Sequence, residues 1–562
     1  MLKITYLLES TELWGGNKVA LEQAELLSNA GYRITILSKD AGPTWYPLIL
    51  PVTQVANFDA ITIPDSDIVI GTYWPTVKAA FEAGKGIPVH LCQGYEGDYK
   101  ELSHVTHDID EVYSYKIPKL TVSLHLNELL KERFNAKTYY VGQMLDDKVF
   151  YPDPPGVLKK IFLRRGLTGH LSILVVGPFE VDFKNIAAAL RGITITKKRF
   201  DRPVKLIRAS QFPLSRDEEL IIKPDVYHYH VPHNKMGGIY RDADLFISMS
   251  REAEGFGLPA LEAMACGVPV ILSKISSYMS FDETADYAAF VDSSDPESIA
   301  KTIQEVVSNK PLRDKLIRRG LEVAGKFTKE KVLERLTTAF KEILYRDKLS
   351  KTKSAWNDFH AGKAASKKYW WDSPVILGHC QKLVTGDPAM NIYQFLKKSF
   401  IPESFKRGLS ICSGSGEFER GAIDNEICKH IDAYEIAEAR VNEGVRLSKE
   451  KGHAIDFYME DANRALFKSN HYDIFFSWAA LHHIENLEGV CRNVSNALKE
   501  NGLLVVQEFI GPNQFQWTDR QLEIANKVLS ILPERLRINP ETGEVISRVK
   551  RPTIAEMNIT DH

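Results

Sequence analysis

The sequence predicts an α/β protein built on three doubly wound parallel sheets that follow one another along the chain. Short apolar, β-branched segments alternate with amphipathic helical segments through most of the 562 residues. This alternation restarts after a proline-rich break at residues 152–156 and again after a basic stretch that begins near residue 346. Repeated strand–helix–strand units form parallel sheets with helices on both faces. The length agrees, because one hydrophobic core serves about 100–200 residues.

The first two domains are predicted at residues 1–150 and 151–345. In the first, a Gly-Gly turn and an amphipathic helix to about Asn29 follow the first strand. In the second, helices rich in Lys and Glu run from about Pro296 to Asp347. The strands predicted for the two domains are Ile4–Leu8, Arg33–Ser38, Asp67–Thr72 and Val89–Cys92, and then Ser172–Gly177, Val204–Arg208, Val226–His230, Asp244–Met249 and Pro269–Ser273.

Residues 346–370 are predicted to form a basic linker or an exposed helix, and residues 371–562 a third α/β domain. The aromatic run at 369–371 leaves open a contact with a membrane surface, although a solvated connector is favoured. After Glu508 we find no convincing final strand pair, so we expect a domain that lacks its last strands, or a chain that is a fragment of a longer polypeptide. The strands predicted here are Gly408–Ser413, His430–Glu435, Tyr472–Ser477 and Gly502–Glu508.

The composition excludes several classes of protein. It is 44% hydrophobic and 26% charged, which argues against disorder. With 71 Lys+Arg against 73 Asp+Glu, the net charge is -2, so no overall positive field favours nucleic acid. No apolar run approaches the roughly 18 residues of a membrane span, and the first residues do not resemble a secretory signal. The 6 Cys form no CxxC pair, which indicates a cytoplasmic protein.

The most informative segment of the second domain is residues 250–267, which follow a buried strand and open a helix. Gly255 and Gly257 would let the backbone approach a ligand closely, and the free N–H groups at a helix start suit a diphosphate. Glu262 lies about one turn into the helix, where it can accept hydrogen bonds from sugar or ribose hydroxyls. Glu254, in the loop, can reach the atom that is transferred.

This segment resembles the Glu-x7-Glu signature of retaining, metal-independent nucleotide-sugar glycosyltransferases with two Rossmann-like domains, the GT-B architecture. The resemblance covers about residues 1–345. It implies that Glu254 contacts the donor sugar and Glu262 the nucleotide ribose, without a metal. It also implies that Gly15 and Gly16 approach the phosphates, and that Lys184 neutralises the leaving group.

The sequence departs from that family in one respect. An arginine often follows the glycine at position 177, whereas this chain has Pro178. One phosphate-binding cation is therefore missing or comes from elsewhere, with Arg208 and Lys235 as candidates. The Gln-Gly-Tyr-Glu run at 93–96 is expected on the acceptor side of the cleft. Three tryptophans are interpreted either as platforms for sugar rings or as core residues, and three histidines as neighbours of the nucleotide base rather than metal ligands: Trp14, Trp45, Trp74, His228, His230 and His233.

In the third domain, an apolar strand runs into a turn that contains Gly414 and Gly416. Glu435 ends the next strand about twenty residues later, where nucleoside-binding Rossmann units place an acid for the ribose, and Asp461 follows another short strand. The order resembles a class I S-adenosylmethionine-dependent methyltransferase. The resemblance implies that the glycines approach the methionine part of the cofactor, Glu435 the ribose and Asp461 the adenine amino group. A dinucleotide-binding domain is the main alternative.

Two departures concern this resemblance: the acid usual at position 410 is a serine, and the first glycine of the usual trio is Cys412. Methyl transfer to a hydroxyl also needs a group that removes the proton. His482 and His483 are the nearest candidates, with His482 taken as catalytic; the alternative is that both histidines are structural.

Taken together, these features predict a bifunctional enzyme that transfers a sugar and methylates a sugar hydroxyl during assembly of a bacterial surface polysaccharide. The expected ligands are a nucleotide sugar, S-adenosylmethionine and a glycan acceptor that is either free or lipid-linked. No nucleic-acid partner is expected. The protein is expected in the cytoplasm, with peripheral contact at the inner face of the membrane left open, and the oligomeric state is undetermined. The alternatives are a methyltransferase-like domain that only scaffolds, or an interaction protein on two degenerate enzyme folds.

Overall fold

The structure of the chain is a computed structural model, which describes residues 1–153, 169–361, 373–508, 517–539 and 543–551. The chain divides into two compact units, Met1–Leu344 and Tyr345–His562. The first unit contains two sheets and the second unit contains one.

The first sheet of the first unit has seven parallel strands in the order β3-β2-β1-β4-β5-β6-β7. Apolar strands such as β4 are fully buried between helices, as expected when both faces of a parallel sheet are covered. The strands are β1 Lys3–Leu8, β2 Arg33–Ser38, β3 Val52–Gln54, β4 Ile68–Gly71, β5 Ile87–Cys92, β6 Lys119–Thr121 and β7 Thr138–Tyr140. The helices are α1 Gly15–Asn29, α2 Trp74–Ala83, α3 Thr106–Ser114 and α4 Leu124–Phe134.

The second sheet has six parallel strands in the order β10-β9-β8-β11-β12-β13. The strands are β8 Leu171–Val176, β9 Val204–Ser210, β10 Val226–Tyr229, β11 Leu245–Ser248, β12 Val270–Ser273 and β13 Ala289–Val291. The helices are α5 Ile186–Arg199, α6 Arg216–Ile221, α7 His233–Arg241, α8 Leu258–Ala265, α9 Ser276–Met279, α10 Pro296–Ser308, α11 Lys310–Ala324 and α12 Lys329–Ala361.

The second unit has five parallel strands in the order β16-β15-β14-β17-β18. The strands are β14 Gly408–Ile411, β15 Ile431–Glu435, β16 Ile455–Met459, β17 Tyr472–Trp478 and β18 Leu498–Gln507. The helices are α13 Pro374–Thr385, α14 Ile392–Ser399, α15 Glu417–Asp424, α16 Glu438–Lys451, α17 Leu487–Ala497 and α18 Asp519–Ile531.

The predicted fold class is confirmed, since three parallel α/β sheets follow one another in the expected order. One local prediction is wrong. The Gly15–Gly16 pair is the first turn of α1 rather than a turn before it, because the chain is already helical at Gly15. Of the two interpretations of the basic segment, a linker or an exposed helix, its start agrees with the helix, since α12 continues through residue 361.

Several sequence predictions fall on residues outside the described ranges. These are the proline-rich break at 154–156, the rest of the basic linker and its aromatic run at 362–371, and the C-terminal residues 552–562. In the described residues after Gln507, no strand joins the five-stranded sheet; the pairing there is an isolated bridge between Ile538 and Val545. None of the helices in the described parts of the chain combines the length and the hydropathy that a bilayer-crossing segment needs.

Candidate active sites

In each sheet the strand order reverses once, between β1 and β4, between β8 and β11, and between β14 and β17. Loops at the carboxyl ends of such strands diverge and leave a crevice, where open α/β sheets bind ligands. Most of the predicted site residues follow these strands directly. Gly15 follows β1, Lys184 follows β8, Glu254 follows β11 and Gly414 follows β14.

The structure brings Lys184 and Glu254 into direct contact, with 2.6 Å between Lys184 Nζ and Glu254 Oε2. Glu254 is only 6% exposed, and Ser250 Oγ donates a second hydrogen bond to Oε2 at 3.0 Å. Two loop contacts hold the pair: the Arg251 N–H donates to the Phe183 carbonyl at 2.8 Å, and Asn185 Nδ2 donates to the Met249 carbonyl at 3.0 Å. A buried carboxylate and a lysine cation therefore share one crevice.

Glu262 lies on α8 and is held by two side chains. Its Oε1 is 2.6 Å from Lys18 Nζ, and its Oε2 accepts a hydrogen bond from Tyr240 Oη at 2.7 Å. Burial opposes ionisation of this carboxyl, but the charge and hydrogen bond of Lys18 and the hydrogen bond of Tyr240 outweigh it, so its pKa is lowered. Glu262 is therefore an anion that can still accept hydrogen bonds through its remaining lone pairs.

Lys18 was not singled out from the sequence. It lies in the first turns of α1, two residues after Gly16, and joins Glu262 of the other sheet's domain. Its position just after the predicted phosphate-binding glycines could have identified it as a candidate site residue. The structure thus places the Lys18 cation on the first-sheet side of the crevice. The family that the sequence resembles often has an arginine at the position of Pro178, which this chain lacks.

The carboxamide of Gln93 lies over the start of α1. A Cβ at Gly16 would come within 3.3 Å of Gln93 Nε2, whereas the position at Gly15 is open. Gln93 Oε1 is buried and has no hydrogen-bond partner among the described residues. A buried amide oxygen without a donor is costly, so this atom marks a position where a ligand hydroxyl or amino group would be favourable.

Gly255 and Gly257 are required by contacts within the protein. A Cβ at Gly255 would lie 1.9 Å from the Gln93 carbonyl oxygen, and a Cβ at Gly257 would lie 2.1 Å from the Tyr278 ring. Gly257 also has φ +93°, a conformation that L side chains rarely adopt. Packing within the protein is therefore sufficient to explain both glycines, and the prediction that they let the backbone approach a ligand stays a prediction.

Arg208 is excluded as a phosphate-binding cation. Its side chain is fully buried, and its guanidinium donates to Glu218 Oε1 at 2.5 Å, with further hydrogen bonds to Glu218 Oε2 and to the carbonyls of Val175, Ala209 and Gly177. These contacts use all five of its donors. Arg208 therefore ties β8, β9 and α6 together. Lys235, the other candidate, is exposed on α7.

The predicted acceptor-side run is largely internal to the first-sheet domain. Tyr95 and Glu96 are 2% and 7% exposed, and Tyr113 Oη donates to Glu96. Burial raises the pKa of Glu96 to about 7. Trp45 is also a core residue, with its Nε1 bonded to the Thr11 carbonyl, whereas Trp14 is 37% exposed. Of these aromatic residues, Trp14 remains the best candidate to contact a sugar.

Among the described residues, one cluster has the geometry of a metal site, and it does not include the predicted histidines His228, His230 and His233. That cluster is His430, Asp432 and Asp456, in the second unit. Arg407 Nη2 contacts Asp432 at 2.6 Å and Asp456 at 3.4 Å, so a guanidinium already neutralises these carboxylates. His233 contacts Asp146 at 3.4 Å.

In the second unit, one cavity brings together Gly414, Glu435 and Asp461. Gly414 has φ +56°, and its N–H donates to Glu435 Oε2 at 2.8 Å. The Ile436 and Ala437 N–H groups donate to Oε1 of the same carboxylate at 2.8 Å each. The carboxylate at the end of β15 is therefore fixed against the glycine turn after β14, as the sequence predicts for a nucleoside site.

Asp461 follows β16 and faces the same cavity. Its Oδ1 accepts hydrogen bonds from the backbone N–H and the side-chain Nδ2 of Asn463, both at 2.9 Å, and its Oδ2 accepts one from Tyr345 Oη. Gly416 does not line the cavity: it has φ +75° and packs against the Phe457 ring, where a Cβ would lie at 2.6 Å.

The carboxyl of Glu419 lies beside Ser410, the position where the sequence lacks the usual acid. Glu419 is 2% exposed on α15, and its Oε1 accepts a hydrogen bond from Ser410 Oγ at 2.5 Å. Burial raises the pKa of Glu419 to about 7. Cys412, in the usual place of a glycine, has φ +48°. The turn thus keeps the left-handed backbone that normally favours glycine.

His482 is oriented by a carboxylate that the sequence analysis missed. Its Nδ1 lies 2.8 Å from Glu508 Oε1, and Glu508 Oε2 accepts the Leu481 N–H at 2.6 Å. His483 lines the cavity, and its ring centroid is 3.9 Å from that of His482. A histidine held by a carboxylate has the arrangement of a general base.

Two family models match separate parts of the chain. Residues 215–323 match the family model of glycosyl transferases group 1, and residues 387–535 match a methyltransferase domain model. The chain therefore carries one segment similar to glycosyl transferases group 1 and, further along, one segment similar to a methyltransferase domain. The two family resemblances are thereby confirmed at that level, while the retaining stereochemistry and the Glu-x7-Glu assignment stay predictions.

The relatives of this chain share only short stretches with it. It is 33% identical over 115 residues to O-antigen chain mannosyltransferase B of Escherichia coli, which covers 20% of this chain and 29% of that relative. The chain therefore spans less than a third of the length of that curated relative. Among solved structures, it resembles sucrose-phosphate synthase from Thermosynechococcus elongatus (16% identity, 62% of this chain, 100% of that one, TM-score 0.51) and Anabaena HepE in complex with UDP-glucose (13% identity, 61% and 100%, TM-score 0.50). At these identities the structures show the GT-B fold alone.

Proposed function

We propose that the first unit is a retaining glycosyltransferase that uses a nucleotide sugar without a metal ion. The observation that carries this proposal is the contact of the half-buried Lys184 with the buried Glu254 at the strand-order reversal, with Glu262 eight residues further along. The UDP-glucose bound to HepE, a protein of the same fold, supports a nucleotide-sugar donor. The match to an O-antigen mannosyltransferase supports a polysaccharide as the product.

The reaction breaks the bond between the anomeric carbon and the diphosphate oxygen and forms a bond to an acceptor hydroxyl. Negative charge builds on the departing diphosphate, so Lys184 and the N–H groups of Gly15 and Gly16 at the start of α1 stabilise it most in the transition state. Glu254 holds the donor sugar at its reacting face, and Glu262 accepts the ribose hydroxyls. The leaving phosphate oxygen takes the acceptor proton, so no protein base is assigned.

The test is release of nucleoside diphosphate by the full chain from a panel of UDP, GDP and dTDP sugars. Glu254→Gln should lower transfer by on the order of 2–4 kcal/mol in transition-state stabilisation. The matched control is Glu252→Gln, which changes an exposed carboxylate in the same loop. Equal activity of the Glu254→Gln variant and the control would refute the catalytic assignment.

We infer that the second unit is an S-adenosylmethionine-dependent methyltransferase that acts on a sugar hydroxyl. The residues around its cavity fit that cofactor: a glycine turn with positive φ, a fixed carboxylate at the end of β15, and a second carboxylate after β16. Gly414 would approach the methionine part, with Gly416 shaping the turn; Glu435 would accept ribose hydroxyls, and Asp461 the adenine amino group. When bound, the cofactor supplies an electrophilic methyl group.

His482 removes the proton of the acceptor hydroxyl in this proposal. The contact between Nδ1 and Glu508 directs Nε2 away from the carboxylate and stabilises the imidazolium that forms. A hydroxyl is a poor nucleophile unless a base is in place, so the proton-accepting group should matter more to turnover than to cofactor affinity. His482→Ala should therefore lower kcat and leave cofactor binding unchanged.

Calorimetric titration of the full chain with S-adenosylmethionine tests the cofactor assignment. Glu435→Ala should abolish micromolar binding, whereas Glu438→Gln, an exposed acid at the start of α16, should leave it unchanged. No binding by the unmodified chain would leave a methyltransferase-like scaffold joined to a glycosyltransferase. We place both reactions in the cytoplasm, on a glycan that is free or lipid-linked.

A further inference from the structure

The segment of helix α12 that belongs to the second unit forms one wall of the cofactor cavity. Four of its residues line the cavity: Tyr345, Lys348, Leu349 and Thr352. Their spacing of i, i+3, i+4 and i+7 places them on one face of the helix. Residues expected from the sequence to begin a solvated linker therefore belong to a binding site.

Tyr345 makes the contact that matters most to the proposed adenine site. Its Oη donates to Asp461 Oδ2, and its ring lies over the Arg464 guanidinium, with 3.3 Å between the ring centroid and Cζ. Asn463 donates twice to the other oxygen of Asp461. The Asp461 carboxylate is thus held on both oxygens, and Tyr345 is the partner that comes from outside the β16 loop.

Lys348 ties the same helix face to the far side of the cavity. Its Nζ lies 3.2 Å from Glu485 Oε2, and the Glu485 N–H donates to Asn463 Oδ1 at 2.8 Å. Asn463 in turn contacts Asp461. The helix is therefore fixed to the loops that follow both β16 and β17, which flank the cavity.

We propose that Tyr345 is a positioning residue for adenine recognition, acting through Asp461. This inference rests on the proposed S-adenosylmethionine site. A carboxylate accepts hydrogen bonds but donates none, so a fixed Asp461 favours the 6-amino group of adenine over the 6-carbonyl of hypoxanthine. Without the Tyr345 hydroxyl, the Asp461 side chain gains rotational freedom. The difference in affinity between the adenine and hypoxanthine compounds should then become smaller.

The experiment is calorimetric titration of the full chain with S-adenosylhomocysteine and with its deaminated analogue, S-inosylhomocysteine. Tyr345→Phe keeps the ring over Arg464 and removes only the hydroxyl. It should lower affinity for the adenine compound about five- to tenfold and that for the inosine compound less. Ser350→Ala, on an exposed position of the same helix, is the matched control. A thermal unfolding scan of each variant verifies folding.

Each other outcome has a distinct meaning. Unchanged affinity and unchanged adenine preference in Tyr345→Phe would overturn the positioning role. Tighter binding in Tyr345→Phe or Tyr345→Ala would show that the tyrosine obstructs the adenine position, which also overturns it. Absence of binding to the unmodified chain would refute the cofactor assignment itself, and this inference with it.

Discussion

At the scale of single residues, buried carboxyl groups in the two units differ in the side chains that contact them. Glu254 and Glu262 each contact a lysine at 2.6 Å and are nearly inaccessible to solvent. Glu419 contacts only a neutral hydroxyl, and burial raises its pKa to about 7. Lys18 keeps the Glu262 carboxyl ionised despite its burial, so its pKa is lowered, whereas Glu419 has no cation in contact and holds its proton up to about pH 7.

The Lys184–Glu254 contact predicts non-additive kinetics. Removing Lys184 leaves Glu254 buried without its counter-charge, and removing Glu254 leaves the half-buried Lys184 without its anion. Each single variant therefore loses the contact as well as the role of the substituted residue. The double variant Lys184→Gln/Glu254→Gln should therefore lose clearly less than the sum of the single losses, by about 1–3 kcal/mol. Nucleoside diphosphate release by the four proteins measures this coupling, and strictly additive losses would contradict a direct contact in the working enzyme.

Glu419 predicts a dependence of stability on pH. Because its pKa is raised from 4.5 to about 7, the folded state holds this proton more tightly than the unfolded state. Stability falls as the pH rises from about 4.5 to about 7 and stays lower above that range. Glu419→Gln should remove this loss, so the variant should gain up to about 3 kcal/mol relative to the unmodified chain between pH 4.5 and pH 8.

Denaturant unfolding at a series of pH values measures that gain. Glu417→Gln, an exposed acid on the same helix, is the control and should give a profile parallel to that of the unmodified chain. A parallel profile for Glu419→Gln would mean that Glu419 ionises normally in the folded protein.

At the scale of elements, each proposed site is formed by loops at the carboxyl ends of strands. Some residues in these loops have positive φ angles. In the second unit, Cys412 and Ala479 are non-glycine residues with φ +48° and +50°, and both line the cavity. Such conformations cost on the order of 1–3 kcal/mol each and concentrate at functional sites. The strain supports a binding role for this end of the sheet.

The Cys412 turn gives a prediction about stability. In a right-handed helix alanine is more stable than glycine, but at a positive φ the order reverses because the Cβ is crowded. Cys412→Gly should therefore be more stable than Cys412→Ala by roughly 1 kcal/mol. Comparing the two variants removes the shared loss of the thiol. Thermal unfolding is the measurement, and a more stable alanine variant would contradict the left-handed conformation.

At the scale of the whole molecule, each proposed site is assembled within one compact unit. The glycosyltransferase residues lie between Gly15 and Glu262, and the residues around the cofactor cavity lie between Tyr345 and Glu485. Joining two enzymes in one chain raises the effective concentration of one product at the other site. The chemistry of each site nevertheless requires no residue from the other.

The two activities should therefore be separable in the full chain. Glu254→Gln should abolish sugar transfer while calorimetry shows unchanged S-adenosylmethionine affinity. Asp461→Asn should weaken cofactor binding while diphosphate release continues at the original rate. Loss of both activities in either variant would show that the sites depend on each other.

The order of the three sheets and most of the strands could be predicted from the amino-acid sequence, and so could the location of the candidate acids near strand ends. Periodic apolar patterns and glycine or proline breaks are local properties, so they can be recognised in the sequence without knowledge of the structure. Strand-end placement then follows from how parallel sheets are built, which is why Glu254, Glu435 and Asp461 were predicted from sequence.

Tertiary structure decided which residues meet. Lys18 and Glu262 are 244 positions apart, Tyr345 and Asp461 are 116 apart, and Lys184 and Glu254 are 70 apart. The structure also shows that Arg208 is buried in contact with Glu218. Gly255 packs against the Gln93 backbone and Gly257 against the Tyr278 ring. Helix α12 continues into the segment predicted as a linker or exposed helix. Folding brings distant segments together through long-range packing, and local sequence patterns carry no record of which partners those contacts will join.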